Sequence, residues 1–89
     1  MAAKERKGSR PGSGRQGAER IENAIMGAVG VAIRKGFVVG REVLVGNIPG
    51  IVVGYNIAAL GKFVGSSYPL LVRTELGVAK CALDEVRLV

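Results

Sequence analysis

The chain has 89 residues, 48% of them hydrophobic, with 14 glycines and a net charge of +6. That length holds a single domain with a limited core, so a subunit of this size can depend on a partner chain. Histidine is absent, which excludes imidazole catalysis and His-ligated metals. The lone cysteine, Cys81, excludes an internal disulfide and a Cys-rich zinc site. With no Cys–His pair to activate it, Cys81 reads as a buried, unreactive thiol.

Residues 1–18 form a Gly/Ser-rich arm. Lys4, Arg6, Lys7, Arg10 and Arg15 face only Glu5 there, so the arm holds +4 of the +6. Such a segment buries too little apolar surface to fold alone and is expected to be flexible, yet it can pair with phosphates without fixed geometry. No secretory pattern is visible, because residues 8–20 are rich in Gly, Ser and Arg where an apolar stretch would begin. The most apolar run, "AIMGAVGVAI" at residues 24–33, falls well short of the roughly 20 residues that span a bilayer. A cytoplasmic protein without a transmembrane segment is expected.

A helix is predicted over residues 19–35. Ile21, Ala24, Ile25, Ala28, Ala32 and Ile33 recur at three- and four-residue spacings along one side. Glu19 and Glu22 near the start and Arg34 and Lys35 near the end suit the helix dipole, and Gly36 supplies a stop. Gly27 and Gly30 oppose it, each by about 1 kcal/mol relative to Ala. The small residues allow close approach by another element. Ile25, Ala28 and Ala32 therefore form a candidate interface, either with the rest of this chain or in a homo-oligomer.

From residue 38 the pattern turns to short strands: Val43–Val45, then Ile51–Tyr55 after a turn at Pro49–Gly50. A loop, "NIAALGKFVGSS", separates these from Leu70–Thr74. "GVAKC" follows a turn at Glu75–Gly77, and "ALDE" reads as one helical turn before the last strand, "VRLV". Five short strands with tight connections suit a small closed barrel, which removes exposed edges. The continuous apolar runs "IVV" and "PLLV" leave surface to cover, which favours a homo-oligomer.

The order "GREVLV…GIVVGY…YPLLVRTELGVAKCALDEVRLV" resembles an SH3-like barrel over residues 38–89. The fold class expected is therefore mainly β, an SH3-like five-stranded barrel preceded by one helix and the basic arm. Within that group the chain is faintly similar to the plasmid-borne type II dihydrofolate reductases, tetramers built around a shared pore. That resemblance implies binding of dihydrofolate and NADPH by a late strand with a Val-Gln-Ile-Tyr motif. Val78 matches it, whereas Ala79, Lys80 and Cys81 replace its Gln, Ile and Tyr. The catalytic motif is thus missing, and neither a cofactor nor a catalytic residue is assigned.

The residues themselves point to binding. Lys62, with Ser66 and Ser67, lies in a loop where phosphate oxygens could be contacted. Arg73, Lys80 and Arg87 fall on three successive strands and form a basic stripe if their registers agree. Tyr55 and Phe63 flank the long loop as candidate stacking faces, or as plugs of the core. Asp84 and Glu85 are adjacent and diverge, so they read as turn residues rather than an acid/base pair. The expected function is non-catalytic nucleic-acid association, RNA or DNA, through phosphate contacts with little sequence discrimination. One alternative is a protein-binding adaptor or an oligomeric structural or regulatory subunit. The other, implied by the resemblance, is a dihydrofolate reductase-like enzyme with a shared central pore, where Lys80 would attract the charged groups of the ligands.

Overall fold

A computed structural model describes residues 12–89 of the chain, with side chains from Glu19 onward. Lys4, Arg6, Lys7 and Arg10 lie outside the described residues, as does the side chain of Arg15. Helix α1 spans Gly12–Arg34, so it begins seven residues before the expected start at Glu19. Gly12, Gly14 and Gly17 are poor helix formers. Once packing holds the later turns, however, each added residue faces only propagation, not nucleation. The buried positions are Ile25, Val29 and Ala32, a stripe at spacings of four and three. Ile21 and Ile33, expected on that stripe, are exposed, and Val29 takes their place.

Gly36 ends the helix with a left-handed φ of 97°. Its N–H donates to the Ile33 carbonyl, and the Phe37 N–H donates to the Ala32 carbonyl, both at 3.0 Å. These two bonds define a Schellman cap, and Phe37 and Ala32 supply its apolar contact inside the main core. The cap turns the chain from helix into sheet.

The strands are β1 (Glu42–Val45), β2 (Ile48–Tyr55), β3 (Leu70–Thr74), β4 (Gly77–Cys81) and β5 (Val86–Leu88). The β1–β2 turn is Gly46–Asn47, because Val45 pairs with Ile48. The expected turn at Pro49–Gly50 lies instead within β2. Pro49 is tolerated there because β3 ends at Thr74, opposite Gly50, so the missing N–H interrupts no rung beyond it. Gly77 has a φ of 115° and closes the β3–β4 turn as expected. "ALDE" does form a single 3-10 turn, Leu83–Glu85. The Glu85 carboxylate accepts the Ala82 N–H at 2.8 Å.

The five strands make one antiparallel sheet in the order β4–β3–β2–β1–β5. The mainly β fold with one preceding helix stands as expected. The closed SH3-like barrel does not: β4 and β5 occupy opposite edges, no ladder joins them, and the sheet is open. A three-residue β5 extends along β1 alone. The apolar face is sealed by Ala32 and Phe37, which pack with Val43, Val52, Leu70, Val72, Cys81 and Val86. The helix thus meets the sheet through its last turn, by Ala32, and through Phe37 just beyond its cap. Among the described residues no helix is long and apolar enough to cross a membrane.

Candidate functional site

Side chains alternate across a strand, and directly opposed residues share a face. Val43, Val52, Val72 and Cys81 mark the buried face. Arg73 opposes both Ile51 and Val78, Lys80 opposes Leu71, and Arg87 opposes Leu44, which in turn opposes Pro49. Leu44 and Glu42 are two apart on β1, and Glu42 opposes Ile51. All of these residues therefore belong to the other, outer face. The registers thus do bring Arg73, Lys80 and Arg87 to one side, and all three are exposed.

They are not evenly spaced. Arg73 and Lys80 are diagonal neighbours on adjacent strands. Arg87 sits at the opposite edge, three strand spacings from Arg73, which is about 14 Å. Glu42 lies between them on β1 and reduces the field. Glu42, Leu44, Pro49, Ile51, Arg73 and Glu75 line an open groove of about 600 Å³. Its lining is largely apolar, and Glu42, Arg73 and Glu75 are its charged members. Arg87 instead borders a hollow with Lys35 and Asp84.

The β2–β3 connection is organised by a residue that sequence reasoning passed over. Asn56 is 4% exposed, the one polar residue buried among those described. Its Nδ2 donates to the carbonyls of Phe63 and Tyr68 at 2.8 and 2.9 Å. Its Oδ1 accepts the Ala58 N–H at 3.0 Å, an Asx turn. The Asn56 N–H donates to the Pro69 carbonyl, bringing the loop ends together. An Asn that opens a long loop two residues after a Gly was the available signal. Its burial was not readable.

The candidate stacking residues separate. Tyr55 donates its hydroxyl to the Phe37 carbonyl at 2.7 Å and packs against the core. Phe63 is 44% exposed and meets Tyr68 edge to face at 5.0 Å. Lys62 Nζ lies 5.6 Å from the Phe63 ring centroid, and Ser66 and Ser67 are exposed in the same loop. In the candidate interface on the helix, Ile25 and Ala32 are buried within their own chain, and Ala28 is half-buried. Within the single chain those two residues pack in cis.

No family model, curated protein or solved structure matches the chain. With the sheet open, the resemblance to SH3-like barrels and to type II dihydrofolate reductases is withdrawn. The segment Val78–Cys81 belongs to an edge strand, with Cys81 turned into the core. Burial, and then the charge of Glu85, push the Cys81 thiol above its ordinary range. Its Sγ faces the Ala79 carbonyl. A protonated, enclosed thiol is a poor nucleophile. Among the described residues no cluster of three or more His, Cys, Asp or Glu side chains could hold a metal.

Proposed function

We propose that the protein is a cytoplasmic, non-catalytic nucleic-acid-associating module that contacts mainly phosphates and discriminates little between sequences. The observation that carries this reading is the strand register, which puts exposed Arg73 and Lys80 side by side on the outer face. The basic arm, with Lys4, Arg6, Lys7 and Arg10, adds cations that need no fixed geometry. Lys62 extends the set from the long loop, and Arg87 from the far edge. Among the described residues no base-reading motif can be identified, in keeping with phosphate contacts to RNA and DNA alike. Fluorescence anisotropy with mixed-sequence single-stranded RNA and double-stranded DNA tests it. Binding that weakens steeply with salt is expected; no binding at low salt would end the proposal.

The groove over Leu44, Pro49 and Ile51 supports a second reading, a protein-binding adaptor. A largely apolar lining that includes Glu42 and Glu75 suits a peptide with apolar and basic side chains, in contrast to the cationic surface elsewhere. Co-purification that survives nuclease treatment and is lost with Ile51→Asp favours this reading. Loss of the partner on nuclease treatment favours the first. Self-association, expected from surplus apolar surface, belongs with either reading and would use the free β4 or β5 edge.

A further inference from the structure

The loop at residues 56–69 is built to hold apolar side chains outward. Its ends meet through the bond from Asn56 N–H to the Pro69 carbonyl, and its interior is tied to the Asn56 side chain. Gly65 N–H donates to the Ala58 carbonyl, and Tyr68 N–H to that of Val64, at 2.8 and 2.9 Å. This is an Ω-loop with its own hydrogen-bonded frame. Yet Ile57 is 70% exposed, Leu60 85% and Phe63 44%. One exposed apolar side chain is normal on a protein surface, but three large ones within a single short loop are more than that.

The chemistry around the tip is one-sided. Residues 56–69 contain no carboxylate, and their only charge is Lys62, beside the Phe63 ring. The neighbouring helix turn contributes Arg20 and Ile21, which share a hollow with Ala59, Val64 and Ser66. Glu19 and Glu22 are the acids on that part of α1; helical geometry turns each about 100° or more from the row of Ile21 and Ala24. Asp84 and Glu85 belong to the turn before β5, and Glu42 and Glu75 to the outer sheet face.

We propose that this loop is a membrane-docking tip: Ile57, Leu60 and Phe63 enter the interface of an anionic bilayer while Lys62 and Arg20 meet the lipid headgroups. A loop that exposes large apolar side chains and an aromatic, carries a cation and contains no carboxylate fits that environment by both polarity and charge. A bilayer also requires no matching concave surface. The inference stands apart from the nucleic-acid reading, because it rests on the loop and not on the sheet cations.

The chain contains no tryptophan, so Leu60→Trp places a single reporter at the tip. With the full chain, a blue shift of its emission is expected on adding phosphatidylcholine vesicles that contain phosphatidylserine. The shift should be weaker with phosphatidylcholine alone. Sedimentation with the same vesicles should fall by about tenfold or more in Leu60→Asp, given the cost of exposing one large apolar side chain. Thermal unfolding of Leu60→Asp should match that of the parent. An unshifted Trp emission overturns the proposal. So does undiminished sedimentation of Leu60→Asp, which would assign vesicle binding to the basic arm alone. Vesicle-free self-association that disappears in Leu60→Asp would place a second copy of the chain on the tip instead, and also overturns it.

Discussion

Gly65 lies directly against the backbone carbonyl of Asn56, with no room between them for a Cβ, and the Ile25 side chain closes the other side. One contact thus joins the middle of the Ω-loop, its first residue and the buried face of α1. Gly65→Ala should destabilise the fold by about 1–3 kcal/mol through overpacking. Gly27→Ala, where a Cβ meets nothing within 4 Å, should be neutral or stabilising. Urea denaturation of the two variants checks the contrast.

Asn56 makes three side-chain hydrogen bonds in a nearly closed site. Asn56→Ala should cost about 2–4 kcal/mol, because two carbonyls and one N–H lose their partner. Asn56→Asp should be worse at neutral pH, since it sets an oxygen against the carbonyls of Phe63 and Tyr68. Recovery of part of that loss at acidic pH, where the new carboxyl can donate, is the expected signature in thermal melts.

Burial raises the Cys81 thiol above its ordinary value of 9.0. The folded state therefore holds the thiol proton more tightly than the unfolded chain does. The resulting stabilisation is complete below the unfolded-state pKa and is lost as pH rises from there through the folded-state pKa. Above about pH 9 the parent should lose stability faster than Cys81→Ala, with both measured by urea unfolding. Native Cys81 should also react slowly with a thiol reagent, and quickly once unfolded.

Ile25 is enclosed by its own chain, so a charge there attacks the fold and not an interface. Ile25→Glu should destabilise by about 3 kcal/mol or more. The surviving folded fraction should show the oligomeric state of the parent by analytical ultracentrifugation. A stable protein with altered assembly would restore this stripe as a subunit contact.

Arg73→Glu with Lys80→Glu reverses two charges on exposed positions of the outer face, so unfolding should change little. If each cation neutralises one phosphate, the double variant should reduce the slope of log K against log salt by about 1.8 on double-stranded DNA. Deletion of residues 1–11 should reduce the slope further and independently. An unchanged slope in the double variant would remove Arg73 and Lys80 from the interface and leave it to the arm, Lys62 and Arg87.

Local chemistry was sufficient for much of this fold. The three- and four-residue spacing of apolar side chains announced α1, and Gly36 its end. Short apolar runs rich in Val, Ile and Leu mark all five strands, and "ALDE" its helical turn, because each depends on neighbours within a few residues. The absence of histidine and the single cysteine set chemical limits that no fold can lift. The β1–β2 turn was misplaced because Pro49–Gly50 carries a strong turn signal. The turn forms instead at Gly46–Asn47, where Gly46 takes a left-handed φ of 61°, and the end of β3 lets Pro49 sit within β2. Closure of the sheet was beyond local reading, since it depends on whether the two edge strands pair, and here they do not. The common face of Arg73, Lys80 and Arg87 required the registers of all five strands. The role of Asn56 required knowing which carbonyls the folded loop would turn toward it. Periodicity within a segment is written in the chain, whereas pairing between segments is decided by the surface each leaves for the others.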